Sequence, residues 1–96
     1  MSEVINKAVA AINEKLAGDV FDGSIKIDIE DEGSLIIDEN GASASDADAD
    51  CTMSSDAETF EGILSGDVNA TSAFMSGKLR VDGDMSIAMK LGSVLS

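Results

Sequence analysis

The sequence has 96 residues, of which 44% are hydrophobic and 26% charged, and this composition predicts one globular domain over residues 1–96 rather than a disordered chain. Six basic residues against nineteen acidic ones give a net charge of −13, which repels phosphate backbones and argues against nucleic acid as a partner. Histidine is absent and there is one cysteine, which excludes an internal disulfide, a Ser-His or Cys-His catalytic pair and the common zinc sites.

The first predicted element is an amphipathic helix. Its apolar residues recur at helical spacing on one face, namely Ile5, Ala8, Val9, Ile12 and Leu16. Ser2 is suited to cap this helix at its start, and Gly18 to end it in a left-handed conformation. The first residues lack the basic and apolar pattern of a signal sequence, and no apolar run approaches the ~18 residues that cross a bilayer. We therefore expect a cytoplasmic protein.

Three strands are expected next, joined as an antiparallel meander with one wet face. In residues 25–29 isoleucine alternates with polar residues, which is typical of a half-buried strand, and Leu35 and Ile37 continue this alternation in a second strand. The dipeptide Asn40-Gly41 is a strong hairpin signal. A weaker alternation predicts a third strand, whose apolar members are Ala47, Ala49, Cys51 and Met53.

Two short helices are predicted after these strands. Ser55 and Glu58 fit the capping box S-x-x-E, which begins a helix. The apolar stripe of that helix ends at Gly66 and consists of Phe60, Ile63 and Leu64. The second helix begins at Asn69 and ends at Gly77, and its inward-facing residues are Ala70, Ala73 and Phe74.

A strand and a last helix complete the chain. Residues 78–82 return to period two with Leu79 and Val81 on the inner face, and Asp84 is placed to cap the helix. The polar residues of this helix lie along one narrow stripe, formed by Ser86, Lys90 and Ser93. A surface helix needs an apolar stripe of only ~100°, so this one has apolar surface left for the core, a partner protein or a bound lipid. The order of elements makes an α+β domain.

Residues 46–50 read DADAD and suggest a calcium loop at first sight. An EF-hand that begins at Asp46 needs glycine where Cys51 stands and a bidentate glutamate where Ala57 stands. We therefore expect a solvated acidic strand face and no metal site. Because Cys51 falls on the apolar side of its strand, it is expected to be a buried and inert thiol. Since histidine is also absent, we expect the chain to be neither an enzyme nor the carrier of a cofactor.

Three stretches of the second half carry a resemblance to a known family: residues 60–66, 74–85 and 88–91. The middle stretch contains the run Ser76-Gly77-Lys78-Leu79-Arg80-Val81-Asp82-Gly83-Asp84. They resemble the C-terminal signature of the sterol carrier protein 2 family, in which a short helix leads into S-G-K-[LV]-[KR]-[VI]-x-G-[DN] and then into a methionine-containing helix. The upstream order of elements also agrees, so the resemblance covers nearly the whole chain.

This resemblance implies a largely antiparallel five-stranded sheet covered by helices, which enclose an apolar tunnel. It implies non-catalytic binding and intracellular transfer of fatty acids, acyl-CoA, phospholipids or sterols. We further expect a monomer that contacts membranes only transiently. The lipid-binding residues that it suggests are Phe60, Ile63, Leu64, Phe74, Leu79, Val81, Met85 and Met89. The elements above include four strands, so the fifth is expected within residues 83–88, or the last helix begins later than Met85.

Other interpretations stay open at this point. Periodicity alone favours ordinary core packing for the last helix. The chain is alternatively an interaction module that docks through this apolar helix, or an accessory domain of a lipid enzyme encoded separately. Some members of this family end in a peroxisomal tripeptide, and Val94-Leu95-Ser96 does not match that tripeptide.

Overall fold

Four helices and five strands are seen in the computed structural model, which describes residues 3–18 and 20–95 apart from the side chain of Leu95. Ser2, expected to cap the first helix, lies outside the described residues. The elements in chain order are α1 (Glu3–Leu16), β1 (Ile25–Ile29), β2 (Gly33–Asp38), β3 (Gly41–Ala44), β4 (Cys51–Ser55), α2 (Ala57–Ser65), α3 (Ala70–Met75), β5 (Leu79–Gly83) and α4 (Met85–Leu95).

The five strands form one mixed sheet in the order β3-β2-β1-β4-β5. The pairs β1–β2, β2–β3 and β4–β5 are antiparallel, whereas β1 and β4 are parallel neighbours at the centre. The α+β class and the five-stranded, largely antiparallel sheet are confirmed. The simple meander is wrong, because parallel neighbours need a crossover connection, and here the chain between them contains β2 and β3.

The strand that the sequence did not indicate is β3. It follows β2 through a two-residue loop, Glu39-Asn40, so the hairpin predicted at this position is confirmed. Gly41 is the first residue of the strand and has a φ of 99°. The fifth strand expected within residues 83–88 is therefore wrong, and α4 begins at Met85 as first placed.

One face of the sheet is apolar and is covered by the helices. Paired residues on this face form three rows across the strands. The first row consists of Ala42, Ile37, Ile25 and Cys51, and the second of Ala44, Leu35, Ile27, Met53 and Val81. The third row consists of Ile29, Ser55 and Leu79. Except for Ala44 and Val81, which are half-buried, all of these residues are buried. Helix α1 packs on β2 and β3, while α3 packs on β5 and α4 on β4 and β5. The predicted inner faces of α1, β1, β2 and β5 are confirmed, and of the predicted third strand only Cys51 and Met53 lie on the inner face of β4, because Ala47 and Ala49 are outside any strand.

The segment between β3 and β4 crosses the opposite face of the sheet. There Lys26 Nζ donates a hydrogen bond to the carbonyl oxygen of Asp46 at 3.1 Å. This crossing accounts for the burial of Ile36, which lies on the outer face beside Lys26 but is only 7% exposed. Residues 45–50 are irregular, so the acidic strand face expected from the DADAD run is wrong, and only the second half of the predicted third strand forms β4.

The N-terminal caps of α2, α3 and α4 agree with the sequence prediction at two of three positions. The capping box predicted from Ser55 is wrong by one residue, because it is Asp56 whose Oδ1 accepts a hydrogen bond from the Thr59 N–H at 2.7 Å. Hydrogen bonds from the Thr59 side chain and backbone hold the pKa of the Asp56 carboxyl below its usual value. The caps predicted at Asn69 and Asp84 are confirmed, since their side-chain oxygens accept backbone N–H groups at 3.1 and 2.9 Å.

Asn13 ties helix α1 to the edge strand β3. Its Oδ1 accepts the backbone N–H of Ala42 at 2.8 Å, and its Nδ2 donates to the carbonyl oxygen of the same residue at 3.1 Å. A Cβ at Gly41 would lie 2.7 Å from this Oδ1, so the approach leaves no room for a side chain there. The pair of bonds satisfies backbone groups that an edge strand otherwise presents to other chains.

We expect Asn13→Ala to lower the free energy of unfolding by about 1–3 kcal/mol, because two hydrogen bonds of about 0.5–1.5 kcal/mol each are lost. Urea denaturation measures the change. Glu14→Ala is the matched control, since Glu14 is the exposed neighbour on the same helix and should shift stability by no more than about 0.5 kcal/mol. Equal midpoints for Asn13→Ala and the parent would show that the contact contributes nothing.

Candidate functional site

A groove of about 470 Å³ lies between α3, β5 and α4. Its volume falls within the ~300–1,000 Å³ that is usual for small-molecule sites. Among the described residues that line it none is charged, although 26% of the chain is charged. The polar groups on its wall belong to Asn69, Thr71 and Ser93. The groove is therefore suited to an apolar ligand with few polar contacts.

Strands β4 and β5 supply the floor of the groove. Met53 and Val81 are direct partners in the antiparallel register, and Leu79 lies two residues from Val81 on the same face. Leu79 and Met53 are buried, whereas Val81 is half-buried and faces the open space. The period-two alternation that predicted an inner face for residues 79 and 81 thus places both on the groove floor.

Helix α4 has one face on the core and another on the groove. Ile87 and Leu91 are buried in the core cluster, while Met85, Met89 and Gly92 line the groove. The spacing of residues 85, 89 and 92 keeps them on one side of the helix. This division explains why the sequence of α4 carries more apolar surface than a surface helix needs.

Of the polar stripe of α4, Ser93 lines the groove, whereas Ser86 and Lys90 do not. Lys90 Nζ lies 3.2 Å from Asp22 Oδ2, in an exposed ion pair between α4 and the loop that precedes β1. Exposed pairs of this kind contribute at most about 1 kcal/mol, so packing of the apolar faces holds the helix in place.

Exposed apolar side chains concentrate at the mouth of the groove. Phe74, Met75, Met85 and Met89 are 41%, 81%, 43% and 71% exposed, and all four line the groove. Among the described residues, only Val20 joins them as a large exposed apolar side chain. Phe74 was predicted to face inward, but it is partly exposed, because Ala73 is the residue of α3 that packs against the core. The groove is open along this rim, and its closure into a tunnel stays a prediction.

Five of the eight residues suggested for lipid binding meet in this groove: Phe74, Leu79, Val81, Met85 and Met89. The structure places the other three elsewhere. Phe60 and Ile63 are buried in the core, and Leu64 lies in a separate depression between α1 and α2. Helical periodicity gave these residues an apolar face but could not indicate which element covers it.

Several residues that line the groove are not among those suggested for lipid binding. Met53 was assigned to the inner face of its strand, yet nothing in the sequence placed that strand beside β5. Met75, Ala88 and Gly92 also line the groove. Ala88 and Gly92 could have been predicted, because they are four residues apart on α4, as Met85 and Met89 are.

The chemistry available near the groove is limited. Cys51 is buried; burial raises the pKa of its thiol, and the negative charges of Asp84 and Asp82 raise that pKa further. A thiol whose pKa is raised is a poor nucleophile. Within residues 3–18 and 20–95, no group of three or more His, Cys, Asp or Glu side chains could hold a metal ion.

Among the helices that the structure describes, none is both long and apolar enough to cross a bilayer.

Comparison with known proteins gives matches over most of the chain. Residues 4–96 match the SCP-2 sterol transfer family. Hydroxysteroid dehydrogenase-like protein 2 from Bos taurus is 33% identical over 97 aligned residues, which cover 100% of this chain and 22% of that protein. Sterol carrier protein 2 from Homo sapiens is 45% identical over 47 residues, which cover 49% of this chain and 9% of that protein. The chain thus corresponds to less than a quarter of the length of these curated relatives.

Solved structures share the arrangement of strands and helices. Sterol carrier protein 2 from Aedes aegypti, in complex with the C16 fatty acid palmitate, has a TM-score of 0.79 at 20% identity, covering 100% of this chain and 97% of that one. The apo form of sterol carrier protein 2 from Yarrowia lipolytica has a TM-score of 0.69 at 20% identity, covering 97% of this chain and 84% of that one. At this identity the likeness establishes the fold.

Proposed function

This chain belongs to the SCP-2 sterol transfer family, and we propose that it binds fatty acids or related acyl lipids in the groove between α3, β5 and α4 and transfers them without chemical change. The observation that carries the proposal is the uncharged groove of about 470 Å³, whose mouth is edged by four exposed apolar side chains. A soluble domain gains nothing in stability from apolar groups left in water, so their concentration around one concave site points to an apolar ligand.

The expected affinity follows from the apolar surface that such a ligand buries. Each buried methylene contributes about 0.8 kcal/mol, so about ten of them supply about 8 kcal/mol. That binding free energy corresponds to a dissociation constant near 1 μM. The conformational entropy that a flexible chain loses on binding makes the affinity weaker than this. Long-chain fatty acids are therefore the class to test first, and the palmitate complex of the Aedes aegypti protein supports this choice.

We expect saturable displacement of a fluorescent fatty acid by saturated fatty acids, with the affinity rising about four-fold for each added methylene until the groove is filled. The factor is about 0.8 kcal/mol per methylene expressed as a ratio of binding constants. The displaced fluorophore supplies the signal, since the chain contains no tryptophan. Decanoate, laurate, myristate and palmitate form the series, and butyrate is the control that carries the carboxylate without the long chain.

Two results would contradict this function. Displacement that never saturates, or that fails for every chain length, would mean that the groove is no lipid site. Equal affinities for butyrate and palmitate would mean that the carboxylate binds elsewhere and that the chain contributes nothing.

A second candidate function rests on the exposed rim. Met75 and Met89 are 81% and 71% exposed, and methionine side chains adapt to irregular partner surfaces. The same apolar edge could therefore dock on a protein partner or on a second copy of this chain. Native mass spectrometry of the purified protein separates the two functions, because a carrier retains a mass increment of one lipid, whereas a docking module shows the mass of a complex.

A further inference from the structure

Gly92 lies within α4 and lines the groove. A Cβ built on this residue meets no atom of the residues that the structure describes within 4 Å, leaving aside its chain neighbours and the backbone of its own helix. Its φ is not among the positive values that favour glycine. Neither the backbone conformation nor packing against the described residues therefore requires glycine at this position.

Gly62, by contrast, is a helical glycine that packing requires. A Cβ at Gly62 in α2 would lie 2.5 Å from the Val68 Cγ2 atom, so the absence of a side chain there makes room for valine. At Gly92 the space left by the missing side chain belongs to the groove. Glycine is also the poorest helix former after proline, so α4 is less stable with Gly92 than with alanine.

We infer that Gly92 is a specificity-determining residue, whose missing side chain keeps the groove deep enough for a long acyl chain. This inference rests on the proposed function of the groove. Gly92 follows Ala88 by one helical turn, so the wall is low at both positions, while Met85 and Met89 form the higher rim beside them. A side chain at position 92 would take up part of the groove that we assign to the acyl chain.

The experiment uses two variants of the full chain, Gly92→Ala and Gly92→Leu, with Ser86→Ala as the matched control. Ser86 lies on the exposed polar stripe of α4, so its replacement changes helix propensity without touching the groove. Each protein is measured by thermal unfolding and by displacement of a fluorescent fatty acid with palmitate and with decanoate. The readout is the ratio of the palmitate affinity to the decanoate affinity.

We expect Gly92→Ala to raise the melting temperature by about 4 °C, since alanine favours the helix and meets no clash. Gly92→Leu should fold and should lower the palmitate-to-decanoate ratio by about tenfold or more, because each excluded methylene lowers affinity about four-fold. Gly92→Ala should lower the ratio by a smaller factor, and Ser86→Ala should leave it unchanged.

The outcomes separate this inference from the function on which it rests. If the parent binds palmitate and Gly92→Leu keeps the parent ratio, the inference is overturned and the proposed function stands. If Gly92→Ala lowers the melting temperature, glycine is needed for packing and the inference is overturned as well. If the parent binds neither fatty acid, the proposed function fails and the inference fails with it.

Discussion

Replacing Phe60 with alanine is expected to lower the free energy of unfolding by about 3–5 kcal/mol, because removal of a buried phenylalanine side chain loses its contacts and creates a cavity. Phe60 lies on α2 and is 0% exposed, within the core cluster that joins α1, α2 and the sheet. At about 0.05–0.15 kcal/mol per residue, a chain of 96 residues has a total stability of about 5–14 kcal/mol. One substitution thus removes a large part of it.

We expect a substitution in the core to cost more stability than one on the rim of the groove. Chemical denaturation of Phe60→Ala and Met89→Ala measures the two losses. Met89 is 71% exposed, and alanine favours the helix, so Met89→Ala should change stability by no more than about 0.5 kcal/mol. The sequence suggested a lipid-binding role for both residues, and the structure assigns them to different environments. Comparable losses for the two variants would mean that the rim of the groove is packed as tightly as the core.

Replacing Val81 with tryptophan is expected to weaken palmitate binding by about 200-fold while the protein stays folded. Val81 lies on the groove floor, half-buried on the edge strand β5, where aromatic side chains are favoured. An indole takes the space of roughly four methylenes, which at about 0.8 kcal/mol each amounts to about 3 kcal/mol of lost binding. Displacement of a fluorescent fatty acid measures the change.

Arg80→Trp is the matched control for this substitution. Arg80 is the exposed neighbour on the same strand and points to the opposite face of the sheet. Each variant carries one tryptophan in a chain that otherwise has none, so the emission spectrum reports whether the indole lies in an apolar or an aqueous environment. Parent-like palmitate affinity in Val81→Trp, with the indole in an apolar environment, would show that the ligand does not occupy the groove floor.

The elements that the sequence predicted correctly are those with a strong local period. Alternating isoleucines specify β1, and the apolar face of α1 recurs every three or four residues, so neither depends on distant parts of the chain. Asn69 and Asp84 were recognised as caps for the same reason, since a cap bonds to the backbone two or three residues ahead. The family motif added the expectation of five strands, which the sheet confirms.

Strand β3 could not be predicted because its sequence has little strand preference. The start of α2 could not be predicted because two adjacent residues are both suitable N-caps. Gly41–Ala44 contains only glycine, alanine and serine, and its place in the sheet depends on pairing with β2 and on the side chain of Asn13. At α2, adjacent residues Ser55 and Asp56 are both good caps. Ser55 ends β4, so the fold leaves the cap to Asp56.

What the sequence determined by itself is which residues are apolar on each helix and strand, because that depends on residue type and on a fixed local period. Only the tertiary structure decided what those faces meet. The parallel pairing of β1 with β4 brings β4 between β1 and β5, and this places Met53 beside Val81 under α4. Phe60 and Phe74 have the same residue type on neighbouring helices, yet one is in the core and the other on the rim of the groove. The reason is that burial depends on which element packs against a face, and that is set by contacts between residues far apart in the chain.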